Sequence, residues 1–515
     1  MESIIGIVEE LNQLFNQAQI LTDIEDRYVY SFKNIFTKPI HPMFDIVVRD
    51  NQSTISDRLL DWSKGKNVKI IRKSSPNSLS ASEASKISIL LDDIKIPEIV
   101  RISEEPIGKR DLIKTKTQLY AHSIQSNIAS TIRLLISETS LTKCLQSHIS
   151  GGYCTITRSY NGIETWSAKG RMLLIKGLMK GELDYSKKII DILFTCSECG
   201  NCFSECFKQS DFHKAIINIR RTIAEKKLTP NIFHTSASNI KKTGDPAATP
   251  AEKRISWLKD TPEKEFSKNP DILYWVGCMV SGRTPKTALT FYNFLKDIQT
   301  NFTMLKEYEG CCGYVLFSSG LFNEAKIVAK EVIKKIENTR IEKLITPCAG
   351  CFYTFTKLYP EILNLYLPCD VLHSTQFIEN KIKTNELNFN PLNAKITYHD
   401  PCSLGRHCGV YNSPREILKA IPKLQLTEMV FNKSHARCCG GGGGLWNFDH
   451  QVSMDIASTR LQNDFTPLNI DFLTTACPLC QMNFRITAKR KSIPLRVSDI
   501  TEIIGSALRK NPRKI

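Results

Sequence analysis

Apolar and polar positions alternate with several different periods along the chain, and the periods divide it. Ile4, Ile5, Val8, Leu11 and Leu14 recur at helical spacing and predict an amphipathic surface helix at the start. DIVVR, KNVKIIRK and ISILLDD, within residues 1–110, are short apolar runs that read as strands. STISDRLLDWSKG between the first two reads as a helix. Residues 111–225 are helical in pattern, carried by TKTQLYAHSIQSNIASTIRLLIS and SAKGRMLLIKGLMKGEL. Residues 226–270 hold prolines, many Lys and Ser, and little periodicity, and read as a linker.

From residue 271 onward the pattern repeats. The first copy, 271–390, opens on DILYWVGC, a buried strand. It passes through EGCCG and the helix NEAKIVAKEVIKKIENTR, and ends on the strand EKLITPCAGC. The second copy, 391–515, opens on AKITYHDPC, passes through HARCCGGGGG and the helix around DHQVSMDIASTRLQNDF, and reaches IDFLTTACPLC. Strands alternating with helices predict α/β units. In each copy cysteines follow the carboxyl ends of predicted strands, where open α/β sheets place ligands.

Composition narrows the chemistry. The chain has 515 residues, 42% hydrophobic and 23% charged, as expected of a globular protein of several domains. No run of 18 apolar residues occurs, and the start lacks the basic-then-apolar layout of a secretory signal. The net charge is +17, but Lys and Arg are spread along the chain and no basic helix or nucleic-acid motif gathers them. The expectation is a solvated basic surface, with no nucleic-acid partner. Eighteen cysteines in a chain of cytoplasmic character point to metal rather than disulfides.

The cysteines are ordered. Cys278 is followed by 32 residues, then Cys311, Cys312 and Gly313; after 34 more come Cys348 and Cys351. Cys402 is followed by 35 residues, then Cys438, Cys439 and Gly440; after 36 more come Cys477 and Cys480. Five sulfurs per copy overfill one zinc tetrahedron and suit a multi-iron cluster. Upstream, CSECGNCFSEC places Cys196, Cys199, Cys202 and Cys206 in a C-x₂-C-x₂-C-x₃-C run. In KCLQSHISGGYC the span from Cys144 to Cys154 has the same length, but Ser147 and Ser150 stand at its middle positions.

YHDPCSLGRHCGVYNSPREIL, RCCGGGGG and TACPLC resemble the cysteine-rich CCG domain of heterodisulfide reductases. That domain also occurs in the iron–sulfur subunits of glycolate oxidase, lactate-utilisation enzymes and anaerobic glycerol-3-phosphate dehydrogenase. The resemblance covers about residues 140–500. It implies a mixed fold: a small α/β amino-terminal segment, an α-helical ferredoxin-like domain, then two repeated α/β CCG domains. It further implies one non-cubane [4Fe–4S] cluster on Cys278, Cys311, Cys312, Cys348 and Cys351, and another on Cys402, Cys438, Cys439, Cys477 and Cys480. In the ferredoxin-like domain the fourth cysteine of each run serves the other cluster. Cys196, Cys199, Cys202 and Cys154 then complete one cubane [4Fe–4S] cluster. Its partner would take Cys144, positions 147 and 150, and Cys206. Serine is a far poorer iron ligand than thiolate, so this second cubane is expected to be absent. Cys206 stays among the candidate ligands; without the second cubane, Cys144 and Cys206 would be relics or would pair in a disulfide under oxidation. Cys369 and Cys408 fall outside the pattern; Cys408, in GRHCG, is a candidate for lining a substrate site, with a structural role the plainer expectation.

The run RCCGGGGG lacks the Lys-Ser/Thr of a phosphate loop; its glycines are expected to let backbone approach a cluster and donate N–H to sulfur. His399, Asp400, Arg406 and His407 flank Cys402 and are candidates for tuning a cluster or protonating a substrate, or are solvated loop residues. Residues 20–103 are similar to the opening of an FAD-linked oxidase domain. The loop SSPNSLSASEAS has no glycine where such a domain cradles pyrophosphate, so no FAD is expected in this chain.

The expected role is an iron–sulfur oxidoreductase subunit. It would pass electrons between a flavoprotein dehydrogenase, of 2-hydroxy acid, glycolate or glycerol 3-phosphate type, and a quinone or disulfide acceptor. It is expected in the cytoplasm, docking on the inner membrane face if a quinone or a quinone-reducing subunit is the acceptor. Two alternatives stand: a heterodisulfide-reductase-like catalyst that cleaves a disulfide at a CCG cluster, and a zinc-stabilised binding protein.

Overall fold

The computed structural model describes residues 154–204, 212–259 and 269–508, preceded by four short strands and a few single positions. The predicted amino-terminal helix lies largely outside the described residues, as do STISDRLLDWSKG and the glycine-free loop. So do Cys144, Ser147, Ser150 and Cys206. The chain divides into two units, Met1–Leu134 with Lys169–Asp184, and Leu135–Ala168 with Tyr185–Ile515.

In the first unit four strands form one sheet, in the order β1 (Gln19–Leu21), β2 (Ile46–Asp50), β4 (Ile87–Asp93), β3 (Val68–Arg72). β2, β3 and β4 are the three runs predicted from their apolar pattern. They pair in parallel, while β1 lies antiparallel on the edge. The predicted helix around SAKGRMLLIKGLMKGEL is present as Ala168–Lys180.

The second unit holds the repeat. β5 (Ile272–Tyr274), β6 (Phe302–Thr303), β7 (Lys343–Thr346) and β8 (Asp370–His373) form a parallel sheet in the order β6-β5-β7-β8. β9 (Ala394–His399), β10 (Leu424–Leu426), β11 (Phe472–Thr475) and β12 (Arg496–Asp499) form another, in the order β10-β9-β11-β12. Both copies therefore run second, first, third, fourth. The order reverses beside the first strand, and a ligand crevice opens there at the carboxyl ends of the first and third strands. Cys278 and Cys348 follow β5 and β7; Cys402 and Cys477 follow β9 and β11. The cysteines thus sit at the switch point of each sheet.

The core is built on these central strands. Tyr274, Trp275, Leu344, Ile345, Ile396, Tyr398 and Leu473 are all buried. Each large side chain buried in this way contributes on the order of 1.5–3 kcal/mol. The outer strands β6, β8, β10 and β12 are only two to four residues long, and β8 and β10 are half-exposed. That is too little alternation to show in a sequence.

The two copies join by a repeated contact. Helix Pro285–Asp297, after the first strand of copy one, packs on Ile500–Leu508, the last helix of copy two. Helix Asn412–Ala420, after the first strand of copy two, packs on Ser374–Lys383, the last helix of copy one. Each contact carries a hydroxyl–carboxylate hydrogen bond, from Thr287 Oγ1 to Glu502 Oε1 at 3.2 Å and from Ser413 Oγ to Glu379 Oε2 at 2.5 Å. Such reciprocity is what a two-fold relation between two like domains produces.

In the segment read as a linker, the described residues 226–259 hold helices instead. Asn231–Thr243 is a helix ending on Gly244 in the left-handed conformation (φ 74°), with Phe233, Ser236 and Ile240 buried. Phe233 stacks with Phe448 and sits against Gly444, where a Cβ would lie 2.8 Å from its ring. Two buried apolar residues in thirteen are too few for a visible period.

Candidate metal centres and the cavity between them

In the first copy Cys278 Sγ lies 3.7 Å from Cys311 Sγ. Cys312 receives hydrogen bonds from the thiols of Cys311 and Cys351, and these hold it well below the ordinary range of a thiol. In the second copy Cys439 Sγ lies 3.1 Å from Cys480 Sγ, and Cys439 is held down in the same way by Cys438 and Cys480. The donors are driven the other way: Cys311 is pushed up by its bonds to Cys278 and Cys312, Cys351 by Cys312 and Cys348, and Cys480 by Cys439 and Cys477. Each set is thus a group of sulfurs that hydrogen-bond one another, and a cation that binds thiolates displaces their protons.

Backbone N–H groups of three glycines point at cysteine sulfurs. Gly313 N–H donates to Cys311 Sγ (3.3 Å), Gly440 N–H to Cys438 Sγ (3.2 Å) and Gly441 N–H to Cys439 Sγ (3.4 Å). One helical turn after the last cysteine, each copy also supports the second member of its adjacent pair. Thr354 Oγ1 lies 3.8 Å from Cys312 Sγ, and Asn483 Nδ2 donates to Cys439 O at 2.7 Å. Their spacing of three from Cys351 and Cys480 is a signal the sequence carries. Each copy supplies more thiols than zinc takes, some with N–H support, and donors of this kind suit an iron–sulfur group.

Both sets open on one cavity of about 340 Å³. Cys278, Cys311, Cys312, Cys348 and Cys351 line it, with Cys402, Cys439, Cys477 and Cys480 opposite; Met279, Val315, Leu479 and Met482 add apolar walls. Of the ten CCG cysteines, Cys438 alone is not part of that lining. It turns instead to the upstream run: Ser197 Oγ lies 3.2 Å from its sulfur, and the Cys199 thiol is hydrogen-bonded to it.

The upstream cysteines lie over the second copy. Cys196, Cys199 and Cys202 follow helix Lys187–Phe194, which Ser186 caps by accepting from Ile189 N–H at 3.2 Å. Gly443 (φ 60°) lets this loop close in, since a Cβ there would stand 2.4 Å from Ser197 carbonyl carbon. Cys154 precedes helix Thr155–Ser159 and packs on Leu445, Val452 and Ile456, beyond the same glycine run.

Two arginines unnoticed or undecided in the sequence hold this arrangement. Arg220 is fully buried. It donates to Leu193 O, to Cys196 O (2.6 Å), to Glu198 Oε1 (2.6 Å), to Ser318 O in the first copy and to Gly443 O in the second. Burial pushes the Glu198 carboxyl up, opposed by Arg220. Arg406 donates to Cys199 O (2.6 Å) and to Ala436 O (2.5 Å). Of the four residues flanking Cys402, His399 and Asp400 are buried and Arg406 and His407 half-buried, each with a polar partner. Asp400 accepts from Arg415 Nη1 (2.7 Å) and Lys433 N–H (2.7 Å). His407 stacks on Tyr353 with Nε2 2.9 Å from Glu198 O, and burial pulls its pKa down to about 3. His399 is buried beside Cys439 and Cys480, the three ligand-type atoms lying within 4.8 Å of one another.

Glu309 also escaped the sequence reading. Its carboxylate accepts from Val276 N–H (2.9 Å) and Gly277 N–H (2.6 Å), tying the EGCCG turn to the end of β5, and burial raises it to about 7. Cys408 meets Thr356 Oγ1 at 3.7 Å and does not line the cavity; burial raises it to about 11, as it does Cys369.

Known proteins match this picture. The model of the CCG family, described as a cysteine-rich domain, matches twice, at residues 272–356 and 396–485. A subunit of the dihydromethanophenazine:CoB–CoM heterodisulfide reductase of Methanosarcina barkeri is 29% identical over 352 residues, 67% of this chain and 84% of that one. The probable iron-sulfur-binding oxidoreductase FadF of Bacillus subtilis is 28% identical over 63% of this chain and 49% of its own length. A subunit of the CoM/CoB fumarate reductase of Methanothermobacter marburgensis is 26% identical over 61% of each chain. Residues 272–356 and 396–485 each match the cysteine-rich CCG domain, with five cysteines in each copy, and the chain is similar to iron–sulfur proteins of the kind found in heterodisulfide reductase.

Proposed function

We propose that this chain is the catalytic subunit of a disulfide reductase, with the disulfide bound in the cavity between the two five-cysteine sets. One observation carries the reading: nine CCG cysteines from both copies face the same 340 Å³ space. A relay needs clusters in series and no room between them. A site that splits a two-electron bond gains from a donor on each side. Overall, R–S–S–R′ takes up two electrons and two protons and leaves as two thiols. Cys278, Cys311, Cys312, Cys348 and Cys351 would hold one non-cubane cluster, and Cys402, Cys438, Cys439, Cys477 and Cys480 the other. Cys154, Cys196, Cys199 and Cys202 would hold a cubane. Such groups supply one-electron transfer at potentials set by their surroundings.

The chain's own residues do the rest. Met279, Val315, Leu479 and Met482 give the substrate an apolar seat and exclude water. Arg220 and Arg406 fix the Cys196–Cys202 loop on the second copy, so electrons arriving from a partner subunit enter there. The partner in this reading is an electron-donating subunit in the cytoplasm or at the inner membrane face; no helix among the described residues is long and apolar enough to cross a membrane. Nucleic acid has no place in this reading.

A second reading is favoured by residues 20–103, similar to the opening of an FAD-linked oxidase domain, within which β2, β3 and β4 pair in parallel. In it the chain passes electrons from a flavoprotein dehydrogenase to a quinone. Protein purified without oxygen, and reduced by a viologen dye alone, decides between them. Disulfide turnover without a flavoprotein is expected. Val315→Trp, which fills the cavity, should abolish it while iron and acid-labile sulfide stay at the parent level. No turnover with any disulfide sinks the first reading; colourless protein carrying zinc sinks both.

A further inference from the structure

Two buried N–H groups stand at equivalent places in the two copies, and neither has a partner within the described protein. Counting back three residues from the first cysteine of each set reaches Trp275 before Cys278 and His399 before Cys402. Trp275 is 0% exposed and His399 1% exposed. Trp275 Nε1 and His399 Nε2 are both buried without a hydrogen-bond partner. A buried donor left unpaired costs about 1–3 kcal/mol, so two at the same step of a repeat need a common cause.

Their surroundings supply one. A point at Cβ distance from Gly277 lies 3.1 Å from Cys351 Sγ and 3.8 Å from Trp275 Nε1, so the indole N–H and that sulfur both flank Gly277. His399 lies against Cys439 and Cys480, and Cys480 is the second-copy counterpart of Cys351. Equivalent donors therefore border equivalent sulfurs. The imidazole is also oriented. Arg460 Nη1 lies 3.1 Å from His399 Nδ1, and a guanidinium can only donate. Nδ1 is thus the acceptor, and the ring proton sits on Nε2. Arg460 is itself held by Asp464 Oδ2 at 3.0 Å and by the carbonyl of Arg437.

We propose that Trp275 and His399 are the hydrogen-bond donors to the sulfur of the iron–sulfur group in their own copy, and that they set the two sites at different potentials. The inference rests on the reading above that both five-cysteine sets hold such groups. Both residues are positioning residues: they lie behind the sulfurs and do not line the cavity. An N–H pointed at sulfur favours the more negative, reduced state and so raises the potential. Indole and imidazole do this to different extents, which makes two otherwise matching sites unequal and gives electrons a direction across the substrate.

The test is a redox titration of oxygen-free protein followed by electron paramagnetic resonance. His399→Phe should move one CCG signal to lower potential and leave the other in place; Trp275→Phe should move only the other. His399→Gln, which keeps an N–H, should return the first signal most of the way, a rescue that a merely space-filling role would not give. Parent potentials in every iron-loaded variant, or an equal shift of both signals in each, would overturn the inference. Absence of iron from the parent protein would instead overturn the reading beneath it. If Phe at 399 does not retain iron, the His399→Gln and Trp275→Phe titrations decide by the same criterion.

Discussion

Ser197 Oγ lies 3.2 Å from Cys438 Sγ, across 241 residues of chain. This contact joins the Cys196–Cys202 loop to the second five-cysteine set, and Cys438 is the one member of that set turned away from the cavity. Ser197→Ala removes the hydroxyl and nothing else. At about 1 kcal/mol for such a hydrogen bond, the second-copy signal should fall by about 40 mV for a one-electron couple. The first-copy signal should not move. A redox titration that leaves both unchanged would show the hydroxyl bonded elsewhere.

Arg220 and Glu198 form a fully buried ion pair at 2.6 Å, and the same guanidinium reaches carbonyls of both CCG copies. Arg220→Met leaves Glu198 buried without its counter-ion, a change that costs on the order of 3–5 kcal/mol. The melting temperature should drop sharply. Adding Glu198→Gln should recover part of the loss, because the uncompensated charge is gone. A double variant no more stable than the single one would contradict this account.

Asp499 caps the last helix by accepting from Thr501 N–H at 2.9 Å and Thr501 Oγ1 at 2.7 Å, and its Oδ2 is buried without a partner. Burial raises its pKa from 3.8 to about 7. A raised carboxyl favours the fold at low pH. That contribution is complete below pH 3.8, declines as the unfolded chain ionises, and is lost once pH passes about 7. Asp499→Asn keeps the Oδ1 acceptor and cannot ionise. Its stability relative to the parent should therefore rise between pH 5 and pH 8, by about 2–4 kcal/mol. Melting curves at the two pH values test this; a constant difference would contradict it.

The degraded run containing Ser147 and Ser150 lies outside the described residues, and its prediction rests on spacing alone. Ser147→Cys combined with Ser150→Cys should add a second cubane, read as about four further irons per chain with matching sulfide. An unchanged iron content would count against the alignment of the two runs.

Much of this molecule is written in short-range pattern. β2, β3, β4, β5, β7, β9 and β11 were legible because a central strand is a compact apolar run. The two five-cysteine sets were legible because chance rarely places thiols at matched spacing twice in one chain. The edge strands were not, being too short to alternate. Helix Asn231–Thr243 hid behind two buried apolar residues among lysines and serines. The role of Arg220 was invisible, because its partners at Cys196, Ser318 and Gly443 are 24, 98 and 223 residues away.

Spacing along the chain determined which sulfurs belong to which copy, since each set is gathered by its own sheet. Only folding decided that both sets would open on one cavity, that Cys438 would turn toward Ser197, and that Trp275 and His399 would stand as matching donors. Ligand spacing is a local property set by strand and turn lengths. The facing of two domains is set by helix packing and buried hydrogen bonds between residues hundreds of positions apart, and no window of sequence contains both ends of such a bond.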